Sequence, residues 1–190
     1  LTGETQLLRI SHSLPTQLAP GGRLHGSETA LLFAISLLLV ALGFKVAAAP
    51  FQLWVPDVYQ GAPTAVTAFM AAATKVAAFG AALRIFYTAI SGAEWNWRPL
   101  ITVVAIITML VGSLIAIVQR DVKRMLAYSS IAHAGFLLTG ILALNQSGVT
   151  ATLFYLASYG LTTMGAFALV SLVRDASGEV TDLNRWVGLA

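Results

Sequence analysis

The sequence predicts an all-α membrane protein, a polytopic bundle with about five transmembrane helices. Two observations predict this fold class. Of the 190 residues, 57% are hydrophobic and only 10% carry a formal charge, whereas a soluble domain usually has about 25% charged residues. Several apolar stretches also reach the roughly 20 residues that a helix needs to cross the hydrocarbon core of a bilayer. With so few charges, a soluble enzyme and a disordered chain are both excluded.

Five apolar stretches are predicted to be membrane spans, and they cover residues 29–53, 64–90, 100–118, 125–144 and 149–173. The polar sequence NQSG at residues 145–148 separates the last two, because it has the composition of a turn. Residues 1–27 and 174–190 are predicted to be connecting segments on either side of a five-helix region, residues 28–173. The chain has no initiator Met and no signal peptide at its start, so we expect a fragment of a longer polytopic protein.

Several kinds of chemistry are excluded by the residues that the sequence lacks. It has no cysteine, which excludes disulfides and thiolate metal sites. No glycine-rich phosphate loop or cluster of metal ligands is present. The net charge of +3 comes from scattered bases without a basic stripe, so nucleic acid is not an expected partner.

The loop between the third and fourth spans predicts the orientation of the chain. Arg120, Lys123 and Arg124 lie together in the sequence QRDVKR, and short loops rich in Lys and Arg stay on the cytoplasmic side. The segment at residues 1–27 then lies outside the cytoplasm and the segment at residues 174–190 lies inside. Aromatic residues at the span ends fit belts at the two membrane surfaces. These are Trp54 and Tyr59 on the inner side and Trp95 and Trp97 on the outer side.

Four ionisable residues lie inside the predicted spans, where an isolated charge costs at least about 2.5 to 3.5 kcal/mol. They are Lys45, Lys75, Arg84 and His133. At about 1.5 Å per residue, the two lysines and the histidine lie about 12 to 17 Å from the inner ends of three different helices. Arg84 lies nearer an outer end, where its long side chain can reach the interface. A buried ammonium must find a partner or lose its proton, so Lys45, Lys75 and His133 predict a lateral chain of proton carriers.

Purely structural interpretations of these residues stay open. His133 could pack inside the bundle and bond a neighbouring backbone carbonyl. The small residues at 68–80 permit close helix contact and carry no chemistry of their own. None of the five spans contains Asp or Glu, so we expect the acidic partners of the buried cations in helices outside this chain.

Pro50 is predicted to break the first span one turn after Lys45. Proline lacks a backbone donor, and its ring clashes with the carbonyl four residues earlier, which belongs to Val46. In a membrane the freed backbone groups need side chains, water or neighbouring helices as partners. The break is therefore expected to bring water and unpaired carbonyls next to Lys45, with a simple packing kink as the alternative.

Three sequences resemble the antiporter-like membrane subunits of respiratory complex I. They are FKVAAAPFQLWVPDVYQGAPTAVTAF at residues 44–69, ATKVAAFG at 73–80 and QRDVKRMLAYSSIAHAG at 119–135. The similarity covers roughly residues 28–173. Within this family the string PDVYQGAPT is most similar to the subunit N branch, also called subunit 2, because the L and M branches typically have PDAH or PDAM there.

The resemblance implies a bundle of about fourteen helices, built from two inverted five-helix repeats whose broken helices carry central lysines. This chain would cover helices seven to eleven. Lys45 then matches the lysine of the broken seventh helix, Lys75 the bridging lysine of the eighth, and His133 the central histidine of the tenth. The family's fifth-helix glutamate, which pairs with the seventh-helix lysine, and its twelfth-helix lysine lie outside this chain. Gln52 departs from the many relatives that have histidine there, which puts titration at this position in doubt.

The resemblance further implies proton translocation by a multi-pass subunit of NADH–quinone oxidoreductase in the bacterial plasma membrane. Protons would move through the lysines, water and the histidine, driven by charge changes that arrive along the membrane axis. NADH, flavin, iron–sulfur clusters and quinone would belong to other subunits, which are the expected partners together with the lipid bilayer. This chain would bind no cofactor and no metal. A subunit of a multi-subunit sodium–proton antiporter and a structural membrane scaffold are the alternatives.

Overall fold

Helices make up most of the part of the chain that the computed structural model describes, which is residues 5–18, 25–176 and 178–187. The α-helices are α1 (Leu7–Leu18), α2 (His25–Val46), α3 (Trp54–Gly61), α4 (Thr64–Phe69), α5 (Lys75–Arg84), α6 (Glu94–Ile117), α7 (Val122–Leu142) and α8 (Gln146–Leu172). A β-hairpin follows, with strands β1 (Arg174–Asp175) and β2 (Gly178–Glu179), and then a 3₁₀ turn, Leu183–Trp186.

Four helical segments are long and apolar enough to cross a membrane: Thr64–Ala89, Ser91–Ile117, Val122–Leu142 and Gln146–Leu172. A shorter apolar helix covers Leu32–Val46. This architecture confirms the predicted all-α membrane fold class. α6 begins at Glu94, before the predicted boundary at residue 100, because its polar first turn is helical as well.

The first helix ends earlier than the sequence predicted. α2 stops at Val46, directly after Lys45, whereas the predicted span continued to residue 53. Ala47 adopts a left-handed backbone with φ of 62°. Its N–H donates to the Phe44 carbonyl, and the next N–H, of Ala48, donates over 2.8 Å to the Gly43 carbonyl. These two bonds form a Schellman cap, which satisfies the last carbonyls of the helix.

The helix from Thr64 to Ala89 contains two π-helical turns. They cover Met70–Thr74 and Ile85–Ala89, so that they flank α5 at both ends. A π turn disturbs the regular backbone bonds and occurs often near functional sites. Here the Thr74 hydroxyl donates to the Met70 carbonyl over 2.5 Å. The irregular backbone therefore lies immediately before Lys75.

α7 lies at the centre of the bundle, where it contacts α3, α6 and α8. α6 approaches it closely at Gly112, where an added Cβ atom would lie only 2.4 Å from the backbone nitrogen of Ala132. Small residues at helix crossings permit such close approach of two backbones. This contact fixes the position of α7 against α6.

Two of the four predicted interfacial aromatic residues lie in the protein interior instead. Trp97 is fully buried, and its Nε1–H donates to the Ile90 carbonyl over 2.9 Å. Tyr59 is also buried. The belt prediction was wrong for these residues because composition near a span end does not reveal which side of the helix faces the bundle. Trp95 is 86% exposed, as an interfacial residue requires.

The segment after α8 folds onto the end of the bundle where α6 turns into α7. The Val122 N–H donates to the Thr181 carbonyl over 2.7 Å, and the Leu183 N–H donates to the Arg120 carbonyl over 2.8 Å. The carboxylate of Glu179, in β2, accepts a hydrogen bond from the hydroxyl of Thr64, the first residue of α4. The segment predicted only as a connection therefore covers one end of α4 and the α6–α7 turn.

Candidate functional site

Lys75 is buried in the middle of the bundle. Its exposed fraction is 3%, and its ammonium donates to the backbone carbonyl of Ser130 in α7. The same Nζ lies 5.1 Å from the ring centroid of Tyr159 in α8, over the face of the ring. None of the ion pairs within the described residues includes Lys75. A backbone carbonyl and an aromatic ring therefore hold this cation in place of a carboxylate. The cation–π contact with the ring contributes about 0.5–2 kcal/mol.

His133 lies beside the lysine site without touching the ammonium. Its ring centroid is 5.0 Å from that of Tyr159, so the same phenol ring contacts both ionisable residues. Its Nδ1 is 2.5 Å from the hydroxyl oxygen of Tyr155. His133 and Lys75 are thus brought together by the ring of Tyr159, and the predicted chain of carriers stays a prediction.

Three hydroxyl groups meet next to the lysine. The Ser130 hydroxyl is close enough to the phenols of Tyr59 and Tyr159 to interact with both. It makes no hydrogen bond of ordinary geometry within the described residues. Tyr59 reaches this position from α3, outside the membrane-spanning helices. Burial, and secondarily the neighbouring phenol of Tyr159, raise the pKa of the Tyr59 phenol above its ordinary value. Tyr59 therefore stays protonated and available as a donor.

A cavity of about 280 Å³ adjoins His133 between α7 and α8. Its lining surface is mainly apolar and includes the hydroxyl-bearing residues Ser129, Ser158 and Thr162, together with Tyr155 and His133. A space of this size with several polar partners can hold several water molecules. The arrangement provides groups that bind and pass protons on the α8 side of the histidine.

Lys45 occupies a different environment. It is the residue before the end of α2, and its side chain is exposed. No hydrogen bond or ion pair in the described structure joins it to Lys75 or His133. Arg84 is exposed as well, near the other end of its helix, as a snorkelling arginine would be. Of the predicted carriers, only Lys75 and His133 come together within this chain.

Pro50 lies within the non-helical segment that follows α2, in a cis peptide bond with Ala49. The backbone of this segment finds protein partners, since the Ala49 N–H donates over 2.9 Å to the hydroxyl of Thr108 in α6. The cavity beside Pro50, about 270 Å³, is lined mainly by apolar side chains such as Val46 and Phe86. The break therefore has at least one partner in a neighbouring helix, and the expected water beside Lys45 stays a prediction.

Gln52 is buried in the same segment, and its Oε1 has no hydrogen-bond partner among the described residues. At the end of the bundle that carries the α6–α7 turn, Lys123 is also buried and donates over 2.6 Å to the Ala62 carbonyl. The prediction placed Lys123 in a loop. Asp121 caps α7 by accepting from the Arg124 N–H, so that Lys123 belongs to the first turn of a helix.

The sequence did not single out Tyr155, Tyr159, Ser130 or Tyr59 as site residues. One signal was present: Tyr155 and Tyr159 are four residues apart in an apolar helix, a spacing that puts both phenols on one face. Tyr59 gave no such signal, because its burial depends on how α3 packs against α7. Within the described ranges, no group of three or more His, Asp or Glu side chains could hold a metal ion.

Comparison with known proteins places this geometry in a family. The sequence model of the family described as NADH:quinone oxidoreductase/Mrp antiporter, TM, matches residues 1–190. NADH-quinone oxidoreductase subunit N of Rhodococcus opacus (strain B4) is 62% identical over 162 residues, which are 85% of this chain and 30% of that protein.

Two solved complexes contain chains with the same helical arrangement. A chain of respiratory complex I from Thermus thermophilus matches with a TM-score of 0.64 at 39% identity, over 87% of this chain and 36% of that chain. A chain of the Mrp complex from Dietzia sp. DQ12-45-1b matches with a TM-score of 0.79 at 25% identity, over 95% and 32% respectively. The chain spans about a third of the length of these relatives. Since the family's sequence model matches the chain throughout and the fold agrees, this chain belongs to the NADH:quinone oxidoreductase/Mrp antiporter family of membrane subunits.

Proposed function

We propose that the chain is the central part of subunit N of a bacterial NADH–quinone oxidoreductase and that it translocates protons across the plasma membrane. In this proposal Lys45, Lys75 and His133 carry the protons through the middle of the bilayer. The energy comes from electron transfer in other subunits of the complex. The 62% identity to a subunit N over most of this chain supports the choice of complex.

The observation that carries the proposal is the environment of Lys75. Its ammonium is buried in a membrane span, beside a histidine, and has no carboxylate partner in the described residues. A lysine kept only for structure would be expected to form an ion pair, because an uncompensated buried charge is strongly destabilising. A carrier must instead be able to give its proton away, and a carbonyl and an aromatic ring leave that possibility open.

Lys45 and Pro50 take part in the proposal through the family resemblance. Lys45 would meet the glutamate of a helix that precedes this chain, which agrees with its exposed position on α2. Pro50 would end the helix so that the lysine lies at a break in the membrane. The α6–α7 turn, with its cluster of basic residues, would face the cytoplasm.

The redox chemistry belongs elsewhere in this proposal. Flavin, iron–sulfur clusters and the NADH and quinone sites would lie in partner subunits, and this chain would bind none of them. Its partners would be the neighbouring membrane subunits and the lipid bilayer.

A sodium–proton antiporter subunit is the second candidate, and the higher TM-score to the Mrp chain favours it. The two candidates differ in their partners. A tagged full-length subunit that co-purifies with NADH-oxidising peripheral subunits supports the first candidate. A complex without these subunits, whose proton flux depends on sodium, supports the second.

Replacement of Lys75 tests the proton-carrying role. Lys75→Met keeps an apolar stem of similar length and removes the amine, so we expect pumping by the assembled complex to fall severalfold. Lys75→Arg should also impair pumping, because a guanidinium stays protonated and cannot release its proton. The measurement is proton uptake per NADH oxidised in inverted membrane vesicles, with subunit incorporation determined independently.

Arg84→Met is the matched control, because it removes an exposed cation from the same helix. Pumping by this variant should equal that of the wild type. Wild-type pumping by the Lys75→Arg complex would contradict the proposal and favour the structural scaffold, in which only the positive charge matters.

A further inference from the structure

His133 and Lys75 share a neighbouring ring, and the histidine has a hydrogen-bond partner of its own. Tyr159 contacts both residues, 5.1 Å from Nζ and 5.0 Å from the imidazole centroid. No hydrogen bond joins the two ionisable side chains in the described structure. The group that does bond the histidine is the Tyr155 hydroxyl, 2.5 Å from Nδ1.

We propose that Tyr155 is a further proton carrier, which passes protons between the cavity beside α8 and Nδ1 of His133. This inference rests on the proposed proton-translocating function. Tyr155 is half-buried and is one of the residues that line the cavity, and its hydroxyl bonds the histidine. It therefore touches both the space that can hold water and the group that receives the proton.

The chemistry of a phenol suits this position. A tyrosine hydroxyl can donate one hydrogen bond and accept another, which a phenylalanine cannot do. A proton that arrives from water in the cavity binds to the phenol oxygen while the original hydroxyl proton moves to Nδ1. An O–H bond of the protonated water breaks as the new phenol O–H bond forms, and the original phenol O–H bond breaks as the N–H bond forms. Tyr155 is neutral before and after the step, and His133 ends as imidazolium.

The transfer is complete when it is combined with the loss of a proton from Lys75. The ammonium becomes a neutral amine, its proton enters the cavity past Tyr159, and the histidine gains one proton. Tyr159 lines the same cavity and also faces the ammonium, so it lies on this path. The reverse sequence moves a proton back, which makes the pair suitable for either direction of transport.

Tyr155→Phe in the full-length subunit of the intact complex tests this inference. The variant keeps the ring and loses only the hydroxyl. We expect proton uptake per NADH oxidised to fall severalfold, to about the level of His133→Gln, while NADH oxidation by the assembled complex continues. Expressing uptake per NADH oxidised restricts the measurement to assembled complexes, so partial loss of assembly does not hide the effect.

The double variant separates a carrier from a residue that only packs. If Tyr155 acts through His133, Tyr155→Phe combined with His133→Gln should pump as well as either single variant. Separate structural defects would instead multiply, and this result would overturn the inference. Unchanged pumping by Tyr155→Phe, or by His133→Gln, would overturn it as well.

Tyr87→Phe is the matched control. The Tyr87 hydroxyl donates over 3.1 Å to the Gly140 carbonyl, away from the lysine and the cavity. Its loss removes a tyrosine hydrogen bond of similar kind, and pumping should stay at the wild-type level. Lys75→Met measured in parallel distinguishes failure of the proposed function from failure of the role of Tyr155. Normal pumping by Lys75→Met rejects the proposed function, whereas normal pumping by Tyr155→Phe beside a defective Lys75→Met rejects only the role of Tyr155.

Discussion

The ionisable residues of the site, Lys75 and His133, contact polar groups and aromatic rings of other helices. Lys75 in α5 bonds a carbonyl of α7 and faces a ring of α8. His133 in α7 bonds the hydroxyl of Tyr155 in α8. Each of these partners is neutral, so within the described residues a proton gained or lost at Lys75 or His133 breaks no ion pair. This property distinguishes the site from the ion pair of Arg124 and Asp57 at the end of the bundle, where Nη1 and Oδ1 are 2.6 Å apart.

Trp97 gives a prediction at the residue scale. Trp97→Phe removes the indole N–H that donates to the buried Ile90 carbonyl, and an unsatisfied buried group costs about 1–3 kcal/mol. We expect the variant complex to dissociate at a lower temperature than the wild type. The measurement is thermal dissociation of the detergent-solubilised complex, followed by native electrophoresis.

Trp95→Phe is the control, since Trp95 is 86% exposed and exposed substitutions usually change stability by at most about 0.5 kcal/mol. Equal thermal stability of the two variants would show that the buried indole hydrogen bond does not contribute.

Helices in this chain are irregular where the site is located and closely packed next to it. A π turn precedes Lys75, and a Schellman cap ends α2 directly after Lys45. Both irregularities keep their backbone groups bonded to protein, as the low polarity of a bilayer requires. α7, which carries His133, is held at a fixed distance from α6 by the glycine contact at Gly112.

Gly112 provides a prediction at the scale of helix packing. In Gly112→Ala the new Cβ atom would lie 2.4 Å from the Ala132 backbone nitrogen, so α6 and α7 must move apart. Overpacking of this kind costs about 1–3 kcal/mol. We expect less subunit in the assembled complex, measured by immunoblotting of isolated membranes.

Gly160→Ala is the matched control, because Gly160 is also buried in a long helix and its nearest neighbour would be Ala72 Cβ at an ordinary 3.8 Å. Assembly should match the wild type. Normal assembly of Gly112→Ala would mean that the two helices are not in close contact at this position.

The whole molecule presents an apolar outer surface and one covered end. Large side chains such as Phe33, Phe154 and Leu161 are exposed on the long helices, and such surfaces face lipid or neighbouring helices. The β-hairpin and the 3₁₀ turn cover the end that carries the α6–α7 turn. The basic residues at this end predict that it faces the cytoplasm.

Cysteine labelling tests this orientation, and residues 1–190 contain no native cysteine. Arg120 and Gln146 are exposed at opposite ends of α7, whereas Lys123 is buried and unsuitable. Arg120→Cys should react with a membrane-impermeant thiol reagent only in inverted vesicles. Gln146→Cys should react with the same reagent only in right-side-out vesicles. The opposite pattern would reverse the proposed orientation.

The sequence by itself determined the fold class, the family and the ionisable groups inside the membrane. These follow from properties of contiguous residues: the length of the apolar stretches, the small number of charges and the motifs around Lys45, Lys75 and His133. It also predicted that acidic partners lie in helices outside this chain, because none of the five predicted spans contains Asp or Glu.

Only the tertiary structure decided which of these groups meet. Lys75 and His133 share the ring of Tyr159, whereas Lys45 is exposed near the end of α2. The burial of Tyr59 and the bond of Tyr155 to the histidine were likewise not visible in the sequence. The physical reason is that contacts between helices depend on the rotation of each helix about its axis and on where helices cross. The π turns shift that rotation and a glycine sets the crossing of α6 and α7, and neither effect can be derived from local composition or periodicity.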